Sequence, residues 1–271
     1  MQLKPLSESV TTPVLTCLNQ KGGVGKTLST MMIGGALHQR GADVLLADLD
    51  AQGHLTEACG HAEAYEADGL TQHDVLTDLD KAERTGELLR ECEEFDLLPA
   101  HVMLFQTPDK LRQQVRPGVR LKRALEAVAG DYDYVLLDCP PALNTVTTNA
   151  LVAGRNVVIP AQARETSIRA IELLIDQIQE IERNYEFDIM PPIAVIANEV
   201  TQDNEAKGML AWFEQTFGEF VPVFEVRSRV ALQRAMSKAH ASIFEHEEDC
   251  DMSAVYLEVA DHIIDLDGGL V

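Results

Sequence analysis

Lysine is scarce in this chain of 271 residues: eight residues among only 22 basic side chains, set against 44 acids. The formal net charge is −22 at pH 7. Such a surface repels nucleic acid at low salt. At molar salt the screening length falls to about 3 Å and net charge stops governing association. Acid excess with so little lysine therefore points to a halophilic protein rather than to a class of ligand. Paired cysteines are also missing. Cys17, Cys59, Cys92, Cys139 and Cys250 are dispersed with no CxxC spacing, which removes support for a zinc ribbon or a shared iron–sulfur cluster. An odd, scattered set fits free, buried thiols in a reducing compartment. No run of 18 apolar residues occurs, so no membrane span is expected. The opening MQLKPLSESVTTP has no apolar stretch of the secretory kind, so a cytoplasmic location is expected. Neither an internal repeat nor a low-complexity linker divides residues 1–271, and 46% hydrophobic content suits one globular domain.

The chain is organised around Gln20–Thr27, QKGGVGKT. Gly22, Gly23 and Gly25 leave a backbone able to turn its N–H groups inward on an anion. The apolar run Val14–Asn19 before it reads as a buried strand, and Thr27–Arg40 after it as a helix with Met31, Ile33, Gly34 and Leu37 on a partly apolar face. Strand, glycine loop and helix form a phosphate-binding context, since the helix N-terminus adds its own N–H groups and dipole. In that context Lys26 reaches the β- and γ-phosphates and the Thr27 hydroxyl ligates Mg²⁺. The general pattern wants glycine where Gln20 stands, and a second lysine, Lys21, lies five residues before Lys26.

Two further apolar runs end in acids. Asp43–Asp50 delivers Asp48 and Asp50 at the C-terminal end of a strand, where ligands sit in parallel α/β sheets. Tyr134–Leu137 ends on Asp138, followed by the stiff turn Pro140–Pro141. Together QKGGVGKT, LADLDAQGHLT and DCPPALNTVTTNAL resemble the nucleotide motifs of the ParA/Soj/MinD family of deviant P-loop ATPases. The resemblance covers most of residues 14–266. It implies a P-loop NTPase α/β fold, a mostly parallel twisted sheet with helices on both faces. It further implies contacts to ATP from Lys21, Gly22, Gly23, Val24, Gly25, Lys26, Thr27 and Leu28, with Lys21 crossing a dimer to the partner's nucleotide. Asp50 would position the attacking water, with Asp138 and Asp48 near Mg²⁺ beside Thr27. Ala51 stands where the family has proline, His54 where it has asparagine, and Leu28 where a second threonine is common. The departures at Leu28 and Ala51 are expected to reduce the rate rather than abolish binding.

The remaining strands expected are Phe95–Ala100, Asn156–Ala161, Ile193–Ala197 and Val221–Val226. Helices are expected over Leu70–Leu79, Lys81–Glu94, Ser167–Arg183, Lys207–Phe217 and Ser253–Leu266. Asn198, closing its strand, is either an adenine contact of the family kind or a turn cap. Two basic stretches interrupt the acid background. Lys110–Arg123 reads as a packed helix region or as a nucleic-acid contact. Val226–Phe244 carries Arg227, Arg229, Arg234 and Lys238, which a helix would gather on one face. In partition members of the family, bases in this region touch DNA without sequence preference.

The resemblance thus implies an ATPase of the ParA/Soj type that dimerises around ATP. Its ATP state would bind DNA non-specifically on the nucleoid, and a ParB-like partner would stimulate hydrolysis. A MinD-like ATPase positioning division or other cargo is the alternative. The acidic last helix counts against it, because a membrane tail wants lysine and arginine on its polar face. An iron–sulfur carrier ATPase lacks its cysteine pair here. A nucleotide-locked scaffold that rarely turns over is the non-enzymatic option.

Overall fold

The computed structural model describes residues 12–185, 192–218, 221–228, 230–236, 240–246 and 250–266. Three short strands make its centre: β1 (Val14–Cys17), β2 (Val44–Asp48) and β5 (Tyr134–Asp138), every residue of them buried. Burial on both faces explains why these runs are apolar throughout instead of alternating. Alternation survives in the direction of the side chains. Leu45, Ala47, Val135 and Leu137 point into one core, while Val44, Leu46, Tyr134 and Leu136 point into the other.

Outward from these lie β3 (Arg90–Glu91) and β4 (Asp96–Leu98) on one side, and β6 (Asn156–Gln162), β7 (Ala194–Val200) and β8 (Val223–Arg227) on the other. The order is β3-β4-β2-β5-β1-β6-β7-β8, and all neighbours are parallel except the β3–β4 hairpin. One face is covered by α3 (Gln72–Thr77), α4 (Thr107–Arg112), α5 (Arg120–Leu125), α6 (Thr145–Ala153), α7 (Thr166–Tyr185) and α8 (Asn204–Phe217). The other carries α1 (Lys26–Gln39), α2 (His54–Ala58), α9 (Val230–Arg234), α10 (Ile243–His246) and α11 (Asp251–Asp265). The mostly parallel, doubly covered sheet is the fold expected from the motifs.

Helix α1 differs from its expected half-apolar character. Every residue from Ser29 to Leu37 is buried, because α10 and α11 cover the side that the sheet does not. Its two mid-helix glycines have a packing reason. A side chain at Gly35 would collide with Ser242 Oγ and with Glu94 Oε1 at 2.8 Å, so the glycine admits the segment that enters α10.

Two expected helices are corrected. Residues 81–94 form a short 3₁₀ turn over Ala82–Leu88 and then the strand β3, closed by Cys92 N–H donating to Phe95 O at 3.0 Å. Residues 226–244 are not one helix either. Arg227 is the last residue of β8, α9 is only five residues long, and α10 starts afresh at Ile243. The break is enforced by buried Glu94, whose carboxylate accepts from Ser242 N–H at 2.6 Å and from the Ser242 hydroxyl.

Candidate functional site

Motif residues meet at the C-terminal ends of β1, β2 and β5, which are adjacent in the sheet. Asp48 and Cys17 are the register partners of Asp138 on either side. The loop from Gln20 to Gly25 leaves β1 and enters α1, so the first turn of α1 is aimed at the same edge. Backbone torsions show why glycine is required there. Gly23 and Gly25 have φ of 72° and 85°, left-handed values that residues with a side chain seldom adopt. A Cβ on Gly25 would also lie 2.7 Å from Asn198 Nδ2.

That contact relocates Asn198. Its carboxamide is 2% exposed and donates to Val24 O at 2.9 Å and to Ser29 Oγ at 3.1 Å. Through its amide nitrogen it supports the glycine loop from beneath, while its carbonyl oxygen has no partner. The loop has a second brace in Asn19, which accepts from Lys21 N–H at 3.0 Å and donates to Pro160 O at 2.8 Å.

Lys26 is 7% exposed, and its ammonium doubles back to Lys21 O at 3.3 Å. Burial lowers its proton affinity, and the nearby Asp138 carboxylate opposes that shift. Asp138 is the most poorly satisfied group of the site. It is 1% exposed, and neither carboxylate oxygen has a well-formed hydrogen bond, the Thr27 hydroxyl being the donor beside it. Burial raises its proton affinity well above the usual range and the Asp48 charge adds to this, while the Thr27 hydroxyl and Lys26 relieve it only in part. A buried carboxylate without a well-formed hydrogen bond, beside a hydroxyl, fits an oxygen-ligand cation such as Mg²⁺.

Asp48 is built differently. It accepts from Thr56 N–H at 2.8 Å, Thr56 Oγ1 at 2.7 Å and Asp50 N–H at 3.1 Å. Burial still raises it to about 6. Its oxygens are engaged with α2, so Asp48 clamps the second motif and is a poorer cation ligand than Asp138. Thr56 in turn accepts from Ala100 N–H at 2.8 Å, which ties β2, α2 and the end of β4 together. Asp50 is half-exposed and accepts from Gln52 N–H at 2.9 Å, leaving its carboxylate open to the site edge. After Asp138 the chain turns at Pro140–Pro141. Asn144 then caps α6, accepting from Val146 N–H at 2.8 Å and Thr147 N–H at 3.2 Å.

Lys21 extends away from Lys26. Its ammonium donates to Gln162 Oε1 at 3.1 Å and Thr166 Oγ1 at 2.6 Å. Gln162 also donates to Gly23 O at 3.1 Å and to Glu199 Oε2 at 2.9 Å. Gln162, Thr166, Thr56 and Glu94 escaped the sequence reading. Gln162 and Thr166 had one usable signal, a polar residue closing an apolar strand and a hydroxyl opening the next helix. Leu28 is half-buried in the first turn of α1.

The basic stretches divide. In Lys110–Arg123, Arg120 is 5% exposed and donates to Val115 O at 2.9 Å, while Arg112 and Arg123 pair with Asp109 and Glu126 at 3.2 and 3.0 Å. Packing and local ion pairs engage those three bases, while Lys110 and Arg116 are exposed. Arg227 and Arg234 are exposed on separate elements, and Arg229 and Lys238 lie outside the described residues. Arg227 shares a groove of about 350 Å³ with Glu225, Asp251 and Glu258.

A glycine loop on a helix N-terminus, two lysines, and acids at the ends of the neighbouring strands define a P-loop NTPase site. A family model described as an AAA domain matches residues 12–190. The chain belongs to that family, in its ParA/Soj/MinD branch of P-loop ATPases. The sporulation initiation inhibitor protein Soj of Bacillus subtilis (strain 168) is 35% identical over 181 residues, 65% of this chain and 69% of that protein. The chromosome-partitioning ATPase Soj of Treponema pallidum is 29% identical over 256 residues, 94% and 98% of the two chains. The chromosome partitioning protein ParA of Caulobacter vibrioides is 37% identical over 174 residues, and this chain spans only 62% of its length. Among solved structures, an ATP complex of a Cyanothece McdA variant superposes with a TM-score of 0.82 at 20% identity, covering 94% and 97% of the chains. Cobyrinic acid a,c-diamide synthase of Mycobacterium smegmatis, solved with an ATP analogue and magnesium, gives 0.76 at 28% identity over 94% and 95%.

Proposed function

We propose that this protein is a partition ATPase that dimerises around ATP and Mg²⁺, binds DNA without sequence preference in that state, and releases it after hydrolysis stimulated by a ParB-like partner. The observation that carries the nucleotide half is Asp138, a buried carboxylate with no well-formed hydrogen bond, beside Lys26 and Thr27. The partition half is supported by the relatives, two of which are named for chromosome partitioning.

ATP brings the transferable γ-phosphoryl, and Mg²⁺ the charge that offsets its oxygens. The residues of the chain then divide the work. The loop N–H groups from Gly22 to Leu28 would face the phosphates, with Lys26 as the cation among them. Thr27 and Asp138 would hold the metal. Asp50 would orient the attacking water, and its carboxylate, accepting from Gln52 N–H, is less engaged than that of Asp48. Lys21 must release Gln162 and Thr166 before it reaches a partner's nucleotide, so the second subunit completes the site. Hydrolysis by the monomer is correspondingly slow. The expected setting is cytoplasmic, on the nucleoid and at high salt.

A MinD-like membrane cycle is less well supported. No helix among the described residues is long and apolar enough to cross a membrane. The outer face of α11 presents Glu258, Asp261 and Asp265, of which Asp261 pairs with Arg40 at 2.6 Å. Light scattering with phosphate release, in molar KCl, tests the proposal. Dimers should form with ATP and Mg²⁺, persist in Asp50→Ala, and fail in Lys21→Ala. Turnover by a Lys21→Ala monomer at the wild-type rate would refute it.

A further inference from the structure

The sheet ends differently on its two sides. At one end β3 is two residues long and folded back as a hairpin, which leaves little edge to pair. At the other end β8 runs for five residues, and among the described residues no strand lies beyond it. One bond fixes the direction of its backbone groups. Pro222 O accepts from Val195 N–H of β7 at 3.0 Å. Alternate residues of a strand turn their backbone groups to the same neighbour, so Phe224 and Val226 also face β7. Val223, Glu225 and Arg227 then turn their N–H and C=O groups outward. Arg227 agrees with this, since its N–H donates to Met252 Sδ at 3.1 Å and not to β7. A thioether is a weak acceptor, so this outward donor is poorly satisfied.

That edge borders the groove of about 350 Å³ formed by β8 and α11. Phe224, Met252 and Val255 give the groove its apolar lining, and Glu225, Asp251 and Glu258 stand against Arg227 as three acids to one base. Phe224 is braced from within by His262, their ring centroids 6.0 Å apart, and the His262 Nε2 contacts Ile193 O at 2.9 Å. The groove is separate from the nucleotide loop, because β8 lies three strands from β1, roughly 14 Å at ordinary strand spacing. Its charge selects the occupant. A second copy of the chain would bring the same three acids against the first, and DNA would bring phosphates. A basic segment meets opposite charge.

We propose that the outer edge of β8 is a docking site for an extended segment of a partner protein in which basic and apolar residues alternate. The segment adds to the sheet beside β8 and bonds to the outward backbone groups of Val223, Glu225 and Arg227. Alternate side chains of an extended strand fall on opposite faces. The basic ones meet Asp251 and Glu258 of α11, with their aliphatic stems against Phe224 and Val255. The apolar ones fall on the other face, beside Val223. At molar salt the long-range pull of a chain of charge −22 is screened within about 3 Å, while partly buried contact pairs are screened much less. Recognition therefore rests on the groove and the strand edge, not on net charge.

The test uses the full-length protein without nucleotide in molar KCl, so it stands apart from the ATPase reading. The probe is a short peptide alternating lysine and valine, capped at both ends. It should bind in titration calorimetry and slow amide exchange over residues 223–227 at least threefold, leaving 14–17 unchanged. The same peptide with its central valine changed to proline keeps the charge but lacks a ladder donor. It should bind about tenfold more weakly. Glu258→Gln should weaken the alternating peptide at least threefold. Glu225→Pro removes an outward N–H and leaves the bonds to β7 in place, so protection over 223–227 should be lost. Absence of binding, equal binding of the two peptides, or binding without protection over 223–227 would overturn the proposal. Protection that rises with protein concentration in the absence of peptide would assign the edge to a second copy and overturn the partner. The two peptides compared on the wild type decide the matter even if Glu225→Pro fails to fold.

Discussion

Asp138→Asn should separate folding from cation binding. At this position the wild-type carboxylate has no well-formed hydrogen bond and faces the Asp48 charge across paired strands. An unsatisfied buried polar group costs about 1–3 kcal/mol, and more when charged. Asparagine has the same shape without the charge, so the nucleotide-free variant should match the wild type or exceed it by about 1–2 kcal/mol at pH 7. With an unfolding entropy of about 2.1 cal/mol/K per residue, each kcal/mol moves the Tm of a chain this size by about 2 °C. The expected gain is therefore about 0–4 °C by calorimetry. Ligand stabilisation should move the other way. At a hundredfold excess over Kd, MgATP adds about 2.7 kcal/mol to the wild type, and most of that increment should vanish in the variant. The pH profile adds a sign. A carboxyl whose proton affinity is raised by folding contributes its full stability below the unfolded pKa of about 3.9 and loses it as pH rises through the folded value. That value is about 6 for Asp48, and Asp138 is also raised. The nucleotide-free wild type should therefore lose stability as pH rises above about 4 more steeply than Asp138→Asn does. A variant that melts 4 °C or more below wild type without ligand, yet keeps the full MgATP increment, would refute the reasoning.

Other perturbations test the remaining parts. Thr56→Val removes a buried hydroxyl that donates to Asp48 and accepts from Ala100. Urea unfolding should show a loss of about 2–3 kcal/mol, since both partners are left unsatisfied. Gly25→Ala places a side chain at φ 85° against the Asn198 amide. It should cost about 1–2 kcal/mol of strain at the loop and weaken nucleotide binding at least tenfold in titration calorimetry. Asn198→Ala should lower stability by about 1–3 kcal/mol by exposing the Val24 carbonyl to no donor. That effect should be equal with adenine and guanine nucleotides, whereas a base contact would make it selective. Arg234→Ala should reduce the salt slope of DNA binding by about one phosphate contact, read from titrations across KCl concentrations.

The central strands were legible because burial on both faces leaves only apolar residues over Val14–Cys17, Val44–Asp48 and Tyr134–Asp138. The acids that follow them then mark the ligand edge. The glycine loop was legible because its torsions admit few other residues. What escaped was set by distant pairing. Residues 81–94 carry a charge pattern compatible with a helix, but β3 exists only through the hairpin that pairs Arg90 with Leu97. Glu94 looks like one more solvated acid, yet it is 3% exposed and anchors Ser242, 148 positions away. The basic stretch over 226–244 is broken by that same anchor. Asn198 showed its position at a strand end but not its direction, which the close approach of Gly25 decides. Asp48 and Asp50 looked alike at the strand end. Only the helix that follows shows that the first is engaged and the second open.

Co-sedimentation with double-stranded DNA in molar KCl, with ATP, ADP or no nucleotide, tests the partition proposal most directly, run beside Lys21→Ala. The account predicts DNA in the pellet with wild-type protein only when ATP and Mg²⁺ are present, and none with Lys21→Ala. Dimers that form with ATP yet leave the DNA in the supernatant at every salt concentration would contradict it.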